Sequence, residues 1–110
     1  MLVQIVSSLM LVVTYTYHVP HDNVEECVDV VKSANALERT YGDVEWELLR
    51  DSKHPDRWME IARYPSLAEF QRIEEEFHGN PEAQRLWKRF CSLVDCQKAL
   101  ESQRIFERVE

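Results

Sequence analysis

The chain has 110 residues, enough for one domain and too few for two. Hydrophobic residues make up 45% and charged residues 30%, a globular balance that excludes a disordered chain. The 13 Lys and Arg against 20 Asp and Glu leave a formal charge of −7, which repels phosphate backbones and argues against nucleic-acid binding.

Residues 1–17 carry no charge. They lack the basic start and small-residue cleavage site of a secretory signal. They also fall short of the roughly 20 apolar residues of a membrane span. Their β-branched and aromatic content predicts a strand, so no membrane segment is expected. No lysine- or arginine-rich run suggests a membrane surface. From Leu9 the pattern alternates: Leu9, Leu11, Val13, Tyr15, Tyr17 and Val19 share one face. Met10, Val12, Thr14, Thr16 and His18 share the other. Residues 2–6 either extend this strand or form a short one of their own.

Pro20 ends the strand, and a helix is expected to open at His21-Asp22-Asn23. Asp22 with Glu25 three residues on reads as a capping box. Val24, Cys27, Val28, Val31, Leu37 and Tyr41 keep helical spacing, and Gly42 reads as the stop. The second strand spans residues 44–49, with Val44, Trp46 and Leu48 on one side and Glu45, Glu47 and Leu49 on the other. Residues 51–56 form a polar turn. The third strand, 57–64, sets Met59 and Ile61 against Trp58, Glu60, Ala62 and Tyr64.

Ser66-Leu67-Ala68-Glu69 is a second capping box, with Leu67, Phe70, Ile73 and Phe77 as the apolar stripe behind it. His78-Gly79 closes that helix. Asn80-Pro81 opens the next one, whose buried side holds Ala83, Leu86, Trp87, Phe90, Leu93 and Val94. Residues 95–101 are ambiguous, and 103–109 read as the last strand.

The order β–α–β–β–α–(α)–β predicts an α+β ferredoxin-like plait: one antiparallel sheet with helices on one side, in one domain over residues 1–110. The expected helix-facing set is Tyr15, Tyr17, Trp46, Leu48, Met59 and Ile61. The opposite face is expected to carry Met10, Val12, Leu49, Trp58, Ala62 and Tyr64 beside Glu45, Glu47 and Glu60. A face that greasy demands cover, since apolar burial is worth ~25 cal/mol per Å2. A second copy of the chain is the economical cover, so a homodimer is expected.

The run 46–64, WELLRDSKHPDRWMEIARY, followed by SLAEFQRIEEEF at 66–77, carries a family likeness. Residues 10–110 resemble the antibiotic-biosynthesis-monooxygenase-like (ABM) domains of the dimeric α/β barrel superfamily. Similar domains also occur fused behind transporters of the major facilitator class. The resemblance implies the dimeric plait. It further implies either cofactor-independent oxygenation of aromatic or quinol substrates, or haem degradation. Such enzymes often carry a histidine within the helix after the third strand; here that helix offers Phe70, Arg72, Ile73 and Glu74, with His78 at its end. Their closing tryptophan on the third strand is Tyr64 here.

Tyr15, Trp46, Trp58, Tyr64 and Trp87 are the expected contacts of a flat hydrophobic or aromatic ligand, although strand aromatics also serve as plain core. Tyr17 as proton donor and His78 as base are the catalytic candidates, although a helix-end role near the carbonyl dipole fits His78 better. Neither a metal nor another cofactor is expected: His18, His21 and Cys27 match no ligand spacing. Glu45, Glu47 and Glu60 are expected on one sheet face, paired with arginines. Cys27, Cys91 and Cys96 are expected as three partly buried thiols in a reducing cytoplasm. Three functions stay open: a homodimeric module for a small hydrophobic ligand, a cofactor-free monooxygenase, and a non-catalytic dimerisation domain.

Overall fold

The computed structural model describes residues 10–110, so the expectations for residues 1–9 lie outside it. Strand β1 (Leu11–His18) is central. It pairs antiparallel with β3 (Arg57–Tyr64) on one side and β4 (Arg104–Glu107) on the other. Strand β2 (Glu45–Arg50) pairs antiparallel with β3, giving the order β2-β3-β1-β4. This is the ferredoxin-like arrangement the element order implied. The β2–β3 hairpin is set by Asp51, whose Oδ1 accepts the backbone N–H of Lys53 at 2.8 Å and of His54 at 3.2 Å.

Among the described residues four α-helices accompany the sheet. Helix α1 is Val24–Glu38, α2 is Leu67–His78, α3 is Pro81–Leu93 and α4 is Cys96–Glu101. The Ser66 and Asn80 caps form as read: Ser66 Oγ accepts from Glu69 N, and Asn80 Oδ1 from Glu82 N. Asp95 caps α4 through Lys98 N, which resolves the ambiguous stretch as a helix. The first cap differs. A 3-10 turn at His21–Asn23 precedes α1, and Asp22 makes no cap bond. Asn23 instead turns its amide to the Leu93 carbonyl at 2.9 Å, tying the start of α1 to the end of α3.

The strand registers correct one expected face. Trp58, Glu60, Ala62 and Tyr64 stand opposite Tyr17, Tyr15, Val13 and Leu11, so they share the helix-covered side. Met59 and Ile61 pair with Thr16 and Thr14 on the open side. The expectations for β1 and β2 hold, while that for β3 is inverted. Trp58, Ala62 and Tyr64 are buried, and Met59 and Ile61 are not. Both phases of β3 are apolar, and the glutamate sits on the inner one. Glu60 thus parts from Glu45 and Glu47, and Glu47 pairs with Arg63 at 2.6 Å. The open face carries Val12, Leu49, Met59, Ile61 and Phe106, none of them buried.

The core divides in two. One cluster joins Tyr17, Val30, Val31, Trp58, Leu86, Phe90 and their neighbours; the other joins Leu11, Val13, Val44, Ala62, Tyr64, Phe70 and Ile73. Tyr15 and Trp46 pack against both. Gly42 does not end α1, which stops at Glu38, and its φ is not positive. Its role is close approach: a Cβ there would stand 2.6 Å from Ile73 Cδ1. The cysteine expectation also changes. Cys91 and Cys96 form a disulfide, because the short link from α3 to α4 brings their Cα atoms to 5.0 Å. Cys27 stays a buried free thiol, raised from 9.0 to about 11 by burial.

Candidate ligand cavity between sheet and helices

Where the two core clusters part, they leave a cavity of about 290 Å3. Its floor is the sheet, with Tyr15, Tyr17, Trp46, Glu60, Ala62 and Tyr64. Its walls come from α1, α2 and α3, including Val31, Asn35, Glu38, Glu74, Leu86 and Phe90. His78, Trp87 and Leu100 also line it yet are exposed, so they mark the mouth. The lining is mainly aromatic and aliphatic with a few convergent polar groups, which is the make-up of a small-molecule site.

Those polar groups form two hydrogen-bonded sets. In the first, Glu60 accepts from Tyr17 Oη at 2.8 Å and from Trp46 Nε1 at 2.9 Å. Burial raises the Glu60 carboxyl above its usual range, and the two donors oppose that rise. Burial and then the Glu60 charge push the Tyr17 hydroxyl well up, so it stays protonated. In the second set, Tyr64 Oη donates to Glu38 Oε1 at 3.0 Å. Glu38 also meets the carboxyl of Glu74, and Glu74 Oε2 lies 3.0 Å from His78 Nε2. Burial first and the Glu74 charge second raise Glu38 from 4.5 to about 8. Tyr64 is pushed up by burial and by the same two glutamates. Tyr15 accepts from Gln103 Nε2 at 2.6 Å, and burial lifts its hydroxyl from 10.0 to about 12. Asn35 Oδ1 is buried with no hydrogen-bond partner among the described residues.

Of the residues singled out from sequence, Tyr15, Tyr17, Trp46, Tyr64, Trp87 and His78 all line this cavity. Trp58 does not: it is buried in the floor beyond, its Nε1 donating to the Pro55 carbonyl at 3.1 Å. The His78 side chain is 70% exposed, so it stands at the rim rather than inside. Asn35, Glu38 and Glu74 were not singled out as site residues from sequence, and Glu60 was expected on the open face. A spacing signal marks three of them. Asn35 and Glu38 follow Val31 by four and seven residues, and Glu74 follows Phe70 by four, so each lies on its helix's apolar stripe. Among the described residues no group of three or more His, Cys, Asp and Glu is arranged to hold a metal.

This antiparallel α+β plait is an ABM-like fold, shared with solved structures. A NIPSNAP family protein from Agrobacterium tumefaciens C58 superimposes with a TM-score of 0.70 at 17% identity, over 92% of this chain and 87% of that one. A Chloroflexus aurantiacus J-10-fl protein classed with antibiotic biosynthesis monooxygenases gives 0.69 at 12%, over 92% and 94%. SnoaB, a cofactor-independent oxygenase from Streptomyces nogalater, gives 0.67 at 14%, over 93% of each chain. At such identities these likenesses concern the fold alone. No curated protein matches the chain. The model of the MFS_3 family, transmembrane secretion effector, matches residues 4–90, and the chain belongs to that family. No described helix is long and apolar enough to cross a membrane.

Proposed function

We propose that residues 1–110 act as one homodimeric ABM-like domain that binds a small hydrophobic or aromatic molecule between sheet and helices. The observation that carries this reading is the cavity of about 290 Å3 with its aromatic lining. A dimerisation domain alone would need no such space. Tyr15, Trp46 and Tyr64 supply ring faces and Trp87 covers the entrance. The family's description speaks of secretion across a membrane, which suits a domain that senses the compound being moved. The homodimer is supported by the open sheet face, where none of Val12, Leu49, Met59, Ile61 and Phe106 is buried among the described residues. Isothermal titration with 2-naphthol tests the binding reading. Saturable binding to the wild type, abolished in an Ala62→Phe variant that fills the cavity and remains folded by circular dichroism, is expected. No binding to the folded wild type, or undiminished binding to that variant, contradicts it.

A second reading, cofactor-independent oxygenation without metal or flavin, draws on one observation. Glu38 is held near 8 inside the cavity, a value suited to a general base at neutral pH. An anthrone-type substrate would give a C–H proton to Glu38, its carbanion would add O2 and take the proton back as a hydroperoxide, and loss of water would break the O–O bond and leave the quinone carbonyl; Tyr17 keeps Glu60 in place, and His78 stands at the rim beside Glu74. Oxygen uptake with an anthrone-type quinol, lost in Glu38→Gln, supports this reading. Uptake equal to that of the protein-free solution removes it.

A further inference from the structure

The charges around the cavity are one-sided. Three glutamates line it, and no lysine or arginine does. Glu60 already has a donor on each oxygen, from Tyr17 and Trp46. Glu38 of α1 and Glu74 of α2 line the same space with fewer donors: Tyr64 Oη donates to Glu38, and His78 Nε2 lies 3.0 Å from Glu74 Oε2. Two facing carboxyls repel when both ionise, unless a proton or a cation sits between them. The space itself is large enough for a small molecule. Tyr15, Tyr64, Phe77 and Trp87 line the same space, and aromatic faces attract organic cations.

We propose that the molecule bound in this cavity is a lipophilic organic cation, an aromatic or alkyl ammonium whose charged head sits between Glu38 and Glu74. This rests on the ligand-binding reading above and adds the charge of the ligand. An anionic phenolate or carboxylate meets repulsion from the same pair. The ammonium replaces the proton that burial keeps on Glu38, so binding expels a proton and tightens as pH rises. The titratable groups facing Glu38 are Glu74 of α2, Tyr64 and Glu60 of β3 and Tyr15 of β1, with His78 of α2 behind Glu74.

Three naphthalenes of similar size test the proposal in calorimetric titrations of the full chain: 2-naphthylmethylammonium, 2-naphthylmethanol and 2-naphthoate. The ammonium is expected to bind at least ~10-fold more tightly than the alcohol, with the carboxylate weakest. Its affinity is expected to rise between about pH 6 and about pH 9 while that of the alcohol stays level. Glu38→Gln is expected to bring the ammonium down to the alcohol's affinity, and Glu74→Gln serves as the second variant if the first unfolds early. If the alcohol or the carboxylate binds as tightly as the ammonium, the charge assignment is overturned while ligand binding stands. If none of the three binds to folded protein, both fall.

Discussion

Trp58 and Met59 are neighbours in β3, yet they live on opposite sides of the sheet. Trp58 faces the helices and is 4% exposed, whereas Met59 lies on the open side and is half-buried. The inner side combines a divided core, a cavity and three glutamates. The open side combines scattered apolar groups with an arginine–glutamate pair. Both sides are greasy, so hydrophobicity alone does not separate them. What separates them is polar satisfaction. Glu60 on the inner side is held by Tyr17 and Trp46, whereas Glu47 on the open side meets Arg63 in solvent.

The sharpest way to break this contrast is to truncate the two neighbours. Trp58→Ala is expected to cost ~3–5 kcal/mol of folding stability, the range for a large aromatic removed from a packed core. Met59→Ala is expected to cost under ~1 kcal/mol in the isolated subunit, since it empties no closed space. Urea titrations of both variants at concentrations low enough to keep subunits apart check the pair. Equal losses would erase the distinction between the faces.

Gly42→Ala probes how tightly the inner side is packed. Its new methyl group would collide with Ile73, a residue with no exposed surface, and overpacking of this kind costs ~1–3 kcal/mol. A melting temperature unchanged from the wild type would show that α2 yields freely.

The pH dependence of stability should also belong to the inner side. Glu38 is raised from 4.5 to about 8, mainly by burial, so the folded state keeps a proton that the unfolded chain releases. The sign follows from linkage. Its stabilising contribution is complete below 4.5 and is lost as pH rises through about 8. Glu60 is shifted in the same direction and adds to the fall. Glu38→Gln cannot ionise, so its denaturation midpoint is expected to decline less than the wild type's over that window. Parallel declines would place the titrating group elsewhere. The smallest effect is expected on the open side. Glu47→Gln breaks a solvent-screened pair with Arg63 and should change stability by no more than ~1 kcal/mol, a loss that added salt removes.

Much of the fold was legible because local chemistry and global packing agree. Alternation in β1 and β2, the Ser66 and Asn80 caps and the polar hairpin all form as their residues imply. The likeness carried by residues 46–64 gave the correct fold, now shared with solved ABM-like structures. The misplaced and overlooked glutamates share a physical cause. A glutamate on β3 looks like a solvent marker, so placing it outward inverts the strand. Here Glu60 is inward because an indole and a phenol were there to meet it. Glu38 and Glu74 were hidden the same way on the apolar stripes of α1 and α2. Local rules fail where polar groups are kept inside, and such places are where sites are built. The Cys91–Cys96 bond was illegible for another reason: it depends on the turn between α3 and α4, which no spacing rule encodes.

The indole N–H signals give the most direct test that the space beneath the sheet receives a ligand. The chain has three tryptophans, of which Trp46 and Trp87 line the cavity and Trp58 does not. In a proton–nitrogen correlation spectrum titrated with 2-naphthylmethanol, Trp46 and Trp87 are expected to shift together and saturate while Trp58 stays in place. Shifts confined to Trp58, or none at saturating ligand, would contradict the account.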